Sequence, residues 1–140
     1  MMLDEKDEIA LKILKGMHVI AVVGCSRNEG KPSHDVPKYL QDAGYRIIPV
    51  NPNADYILGE KAYAKLTDIP FPVDVVDVFR PANEAMQIAK DAVLIGAKAF
   101  WLQEGIFNDE AEAYAKEHGL LVISNRCMMK EHYKLILGKY

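Results

Sequence analysis

The chain has 140 residues, 50% of them hydrophobic, enough for one domain to build its own core without disulfides or metal. Its 20 acidic and 17 basic residues give a formal charge of -3, so no broad cationic field gathers phosphate backbones, and nucleic acid is not an expected partner. Cys25 and Cys127 are too few for a secreted disulfide scaffold and no C-x-x-C suggests zinc, while no apolar run approaches the ~20 residues that span a bilayer. The expectation is a cytoplasmic protein with no membrane anchor and no bound metal.

The opening segment, MMLDEKDEIALKILKGM, carries acids where a signal peptide needs positive charge, and Ile9, Leu11, Ile13 and Leu14 lie among charges, which predicts a helix over residues 1–16. HVIAVVG at 18–24 is a continuous β-branched run too apolar to face water and reads as a buried strand. A polar loop follows. Pro32 then stands where a first helical turn tolerates it, Ser33 and Asp35 lie near the start, and Val36, Tyr39 and Leu40 share one face before Gly44 ends the helix. Further strands are predicted at 46–51, 73–79, 97–103 and 120–124, with helices at 82–95, 108–118 and 128–137. Residues 52–72 read as a long connection holding at most a short strand or helical turn.

Alternation of strand and helix implies an α/β domain spanning 1–140. The expected architecture is doubly wound and Rossmann-like, with a mostly parallel sheet of five or six strands. Such sheets bind ligands at the carboxyl ends of their strands, near the point where strand order reverses. Function is therefore expected in 24–33, 51–53, 79–81, 103–106 and 125–128, which are polar or bear glycine or proline while the strands before them are apolar.

The first of these, VVGCSRNEGKPSHDV (22–36), has the makings of a phosphate site. Gly24 permits a tight turn, Ser26 and Ser33 offer hydroxyls, Arg27 and Lys31 supply charge, and the helix start presents N–H groups. It is neither a dinucleotide fingerprint nor a Walker A loop. Only Gly24 and Gly30 are present, the second strand ends in Asn51, Pro52 and Asn53 without a well-placed acid, and Lys31 is followed by Pro32.

Five pieces in order, GCSRNEGKPSH, IIPVNPN, VDVFRP, FWLQEGI and SNRCM, resemble the small stand-alone coenzyme A-binding proteins, which are similar to the CoA-binding domain of the succinyl-CoA synthetase α-subunit. The resemblance, not spacing or composition, implies coenzyme A as ligand. It places Ser26, Arg27, Asn28 and Glu29 at the diphosphate, Asn51, Pro52 and Asn53 at the nucleotide end, and Phe79, Arg80 and Pro81 beside adenine or the chain after it. Leu102, Gln103 and Glu104 fall near the pantetheine. The synthetase carries a lysine after its second strand where NPNAD has none, which leaves Arg27, Lys31 or Arg80 as partner of the 3′-phosphate.

The residue chemistry suits a long amphipathic ligand. Phe79 or the Arg80 guanidinium can lie against adenine and Gln103 can bond a pantetheine amide, whereas Trp101, inside a strand, belongs to the core. Cys127 lies at a strand end after Arg126 and before a helix, a setting that can make a thiol reactive toward that of CoA, although a small buried cysteine is the commoner use. His132 stands five residues on, about 140° around a helix, so no Cys–His pair is expected. Cys25 reads as a small residue filling a tight turn.

The leading function is a binding, carrier or sensor protein for coenzyme A or an acyl-CoA, acting as an oligomer or with an enzyme partner. The alternatives are a CoA-dependent thiol-disulfide or transfer enzyme using Cys127, and an atypical NAD(P)-binding oxidoreductase.

Overall fold

A computed structural model describes residues 2–139. Its strands are β1 (Val19–Val23), β2 (Arg46–Val50), β3 (Tyr56–Ile57), β4 (Glu60–Lys61), β5 (Val75–Val78), β6 (Ala99–Leu102) and β7 (Leu121–Ile123). Its α-helices are α1 (Glu5–Gly16), α2 (Pro32–Asp42), α3 (Ala85–Leu94), α4 (Asp109–Glu117) and α5 (Met128–Leu135). The five longer strands pair in parallel in the order β2-β1-β5-β6-β7, the five-stranded form of the expected sheet. The long connection after β2 folds as the β3–β4 hairpin and a 3-10 turn at Leu66–Asp68.

Side chains alternate across a strand, so each face of the sheet receives its own apolar set. Ile20, Val22, Ile47, Val75 and Trp101 face α1, α2 and α5, which contribute Ile13, Leu40 and Met128 among others. Ala21, Ile48, Val76 and Phe100 face α3 and α4, whose buried contacts are largely alanines: Ala85, Ala89, Ala92, Ala111 and Ala115. Such small side chains let the α3 and α4 backbones pack close together. Both faces being covered explains why these strands are apolar without alternation.

The strand order places β1 beside both β2 and β5. From β1 the chain passes through α2 on one face to β2. It then returns to the other side of β1 and leaves β5 through α3 on the opposite face. The connections that leave β1 and β5 thus diverge from adjacent strand ends, and a crevice opens between them.

Two buried carboxyls titrate in opposite directions. Asp7 closes a capping box with Asp4 at the start of α1 and also accepts the Arg126 guanidinium at 2.8 Å, which holds its carboxyl down at about 2. Asp77, at the centre of β5, has no cation partner. Its Oδ1 accepts Gln103 Nε2, its Oδ2 has no partner among the described residues, and burial pushes the carboxyl up to about 7. Native Asp77 therefore keeps a proton that the unfolded chain has lost. Its contribution makes stability fall as pH rises from about 4 through about 7, while that of Asp7 is present above the ordinary carboxylate range and is lost as pH falls toward 2.

Asp77→Asn keeps an acceptor for Gln103 and removes the ionisation. The variant is expected to be more stable than wild type at pH 8 by ~1–3 kcal/mol and to show a flatter stability profile between pH 5 and 8. Urea midpoints at the two pH values test this, and equal slopes for the two proteins would contradict it.

Candidate functional site

The crevice between β1 and β5 opens into a cavity of about 630 Å³. It gathers Gly24, Ser26, Arg27, Asn28, Lys31 and Ser33 from the loop after β1, Asn51, Pro52 and Asn53 from the end of β2, and Phe79 and Arg80 from the end of β5. Residues far apart in sequence meet because their strands end side by side.

The first loop is held by bonds that its own sequence dictates. Pro37 lies inside α2 and has no N–H, so the Ser33 carbonyl four residues earlier lacks its usual helical donor. That carbonyl instead accepts the Ser26 N–H at 3.0 Å, closing the loop onto the helix. The Ser26 hydroxyl accepts the Asn28 N–H at 3.0 Å, Asp35 accepts the Gly30 N–H at 3.1 Å, and the buried His34 ring stands 2.7 Å from the Ser26 carbonyl. A carbonyl only accepts, so Nδ1 of His34 carries the proton in that bond. From the second strand, Asn51 Nδ2 donates to the Cys25 carbonyl at 2.9 Å.

What this frame presents to the cavity is positive. Lys31 is the N-cap of α2 and makes no side-chain capping bond. Pro32 has no N–H and the His34 and Asp35 N–H groups donate to the Lys31 carbonyl at 2.9 Å, so the first-turn N–H without a partner among the described residues is that of Ser33, a residue of the cavity lining, with the helix dipole behind it. Arg27 and Lys31 form no ion pair among the described residues. Arg80 is paired with Glu84, which also lines the cavity, at 2.8 Å. Its stem lies over Gly24, which has φ +87° and where a Cβ would come within 2.8 Å of Arg80 Cδ and 3.2 Å of the Phe79 carbonyl. Gly24 is thus required twice, by its backbone angle and by the close approach.

A model of the family described as a CoA binding domain matches residues 18–133. The chain belongs to that family. It is 43% identical to the uncharacterized protein YneT of Bacillus subtilis over 86% of this chain and 90% of that protein. A hypothetical protein from Pyrococcus horikoshii has the same fold, with a TM-score of 0.90, 37% identity, and coverage of 97% of this chain and 98% of that one. The chain is also 33% identical to acetate–CoA ligase [ADP-forming] II of Archaeoglobus fulgidus, matching 74% of this chain but only 17% of the ligase. As a CoA binding domain it is thus related both to small stand-alone proteins and to a fraction of a much larger enzyme.

Six residues singled out in the sequence lie outside the cavity of this CoA binding domain. Glu29 and Pro81 are exposed at its margins. Leu102 is fully buried, and Gln103 has both ends of its amide committed: Nε2 donates to Asp77 and Oε1 accepts the Met128 N–H at 3.2 Å. The Gln103 side chain therefore anchors the start of α5 to the sheet and is not offered to a pantetheine amide. Glu104 is exposed and paired with Lys130 at 3.0 Å.

Cys127 is 8% exposed, and burial pushes its thiol up. The base beside it in sequence gives no help, because the Arg126 guanidinium is held by Asp7 at 2.8 Å and by Glu131 at 3.4 Å. His132 bonds Tyr39 Oη through Nδ1 at 3.0 Å and forms no pair with the thiol. Cys25 is buried too, and burial, followed by the nearby Asp77 carboxyl, pushes its thiol up to about 12.

Sequence reasoning missed Glu84, Ala64 and Ile88 as wall residues and His34 as a loop anchor. Pro37 was the legible clue to the Ser26–Ser33 closure, since a proline inside a helix frees the carbonyl four residues before it.

Pro37→Ala supplies a helical N–H that competes for the Ser33 carbonyl. Hydrogen exchange of the Ser26 amide is expected to accelerate by roughly fivefold, the consequence of losing a bond worth about 1 kcal/mol, while α2 itself stays folded. Unchanged protection of that amide would contradict the closure described above.

Proposed function

We propose that the protein binds coenzyme A or an acyl-CoA at the β1–β5 crevice and acts as a binding, carrier or sensor protein. The observation that carries this reading is the conjunction, in one cavity at the start of α2, of Ser33 with two cations, Arg27 and Lys31, that form no ion pair among the described residues. In this reading the diphosphate lies against the first turn of α2, where the Ser33 N–H and hydroxyl donate to it and the two cations neutralise it. The adenosine end lies toward Asn51, Pro52 and Asn53, with Ile88 as apolar wall and Phe79 available for stacking. The pantetheine leaves along the rim past the loops after β6 and β7, meeting backbone and Glu104 rather than the Gln103 amide.

Family membership supports the ligand class, and the ADP-forming acetate–CoA ligase relative acts, by its name, on CoA. Holding rather than turning over the ligand is supported by the two thiols. Both are buried and pushed up, the opposite of the electropositive, accessible setting that makes a cysteine a nucleophile.

Coenzyme A at 100 times its dissociation constant is expected to stabilise the native state by about 2.7 kcal/mol, seen as a rise in melting temperature that NAD, NADP and ATP at equal concentration do not produce. Replacing Arg27 and Lys31 together by Gln is expected to weaken CoA binding by roughly tenfold or more and to reduce its salt dependence. Calorimetric titration that shows no saturation at millimolar CoA rules the reading out. Cys127→Ser should leave the affinity within about twofold, since a buried Ser and Cys differ little in size and the thiol takes no part in holding the ligand.

A further inference from the structure

We propose that Arg80, oriented by Glu84, is the residue by which this site selects a nucleotide bearing a ribose phosphate in addition to its diphosphate. The inference deepens the coenzyme A reading and rests on it. The cavity has cationic groups on two sides of the β1 end: Arg27 and Lys31 in the loop that enters α2, and Arg80 in the segment that enters α3 on the opposite face of the sheet. A ligand with one phosphate centre engages one side only, whereas a diphosphate with a separate ribose phosphate has two anionic centres to satisfy.

The Arg80 side chain is built to serve the second centre. Its Nε and Nη2 donate to the two oxygens of Glu84 at 3.2 and 2.8 Å, which uses two of the five guanidinium N–H groups. Both hydrogens on Nη1 and one on Nη2 remain for an anion, and together they form the fork that suits phosphate oxygens. The stem is located by the bare backbone at Gly24, where a Cβ would collide with Arg80 Cδ.

Glu84 is fixed in turn. It ends the 3-10 turn Ala82–Glu84, its N–H donates to the Pro81 carbonyl at 2.9 Å, and Asn108 Nδ2 ties down the Ala82 carbonyl at 3.0 Å. An i,i+4 ion pair on an α-helix is commonplace and carries no such meaning. Here the intervening residues are Pro81 and a 3-10 turn, and both partners line the cavity while remaining 47% and 44% exposed. Arg80 is therefore the contact residue, and Glu84 is a positioning residue that acts through it.

The test compares CoA with dephospho-CoA by calorimetry in wild type, Arg80→Met, Arg80→Lys, Glu84→Ala and Glu84→Gln, each checked for an unchanged melting profile. Wild type is expected to prefer CoA by roughly tenfold or more, the scale of one charge-assisted bidentate contact. Arg80→Met, which still covers Gly24, should remove that preference while leaving dephospho-CoA affinity within about twofold. Arg80→Lys should retain only part of it, and Glu84→Ala should reduce it more than Glu84→Gln does. Equal losses for both ligands in Arg80→Met, no preference in wild type, or a preference that rises in Glu84→Ala would each overturn the inference. Wild type that binds neither ligand removes the coenzyme A reading and this inference with it, whereas the other results leave that reading standing.

Discussion

The rim of the sheet depends on the absence of one side chain. Gly24 follows β1 in a backbone conformation with positive φ, and its open face is where the chain leaving β5 crosses, so that a Cβ there would clash with Arg80 Cδ at 2.8 Å and press on the Phe79 carbonyl at 3.2 Å. Strand order alone makes a crevice between β1 and β5, but a crevice is not yet a site. The close approach at Gly24 brings the loop of one connection and the guanidinium of the other into a single cavity. That contact sets Arg80 in the same cavity as Arg27 and Lys31.

A second constraint acts along the chain rather than across it. In the proposed reading the loop after β1 holds a phosphate, and such a loop must be ordered before the ligand arrives, or the ligand's binding energy is spent on ordering it. Here the ordering comes from a proline in an unusual place. By denying the Ser33 carbonyl its helical donor, Pro37 makes that carbonyl the anchor of Ser26, and His34 and Asp35 on the same turn take up a further carbonyl and N–H of the loop. A defect in the helix thus becomes the clasp of the loop.

Most of the architecture was legible in the sequence because it rests on local pattern. The β-branched runs at 18–24, 46–51, 73–79, 97–103 and 120–124 contain β1, β2, β5, β6 and β7, and the helical patterns between them hold α2 to α5. The core position of Trp101 also follows from its strand context: it is fully buried, with Nε1 on the Arg126 carbonyl at 2.8 Å. What was not legible is what depends on partners distant in sequence. Arg126 reads locally as a base beside Cys127, yet it is claimed by Asp7 from α1, 119 residues away. Gln103 reads as a rim amide free for a ligand, yet Asp77 and the Met128 N–H take both of its ends. Glu84 carries no local signal at all, and only the turn at Ala82–Glu84 sets it against Arg80.

These misreadings share a cause, and it concerns how the rim stays rigid. Polar residues at strand ends read as contacts for a ligand, but Asn51, Gln103, Asn125 and Arg126 are spent on holding the loops to one another, to the sheet and to α1. Asn125, with φ +56°, accepts the Gly105 N–H at 2.7 Å and donates its own N–H to Ile106, joining the loops after β6 and β7. The chain from Asp77 through Gln103 to Met128 ties the start of α5 to the centre of the sheet, and the ion pairs of Arg126 tie the same segment to α1. The loops after β6 and β7 are therefore bonded to each other and to the sheet, while the β1–β5 junction presents Arg27 and Lys31, which form no ion pair among the described residues. In the proposed reading, a ligand that approaches this edge meets bonded loops on one side and positive charge on the other, and that asymmetry directs its anionic groups to the junction.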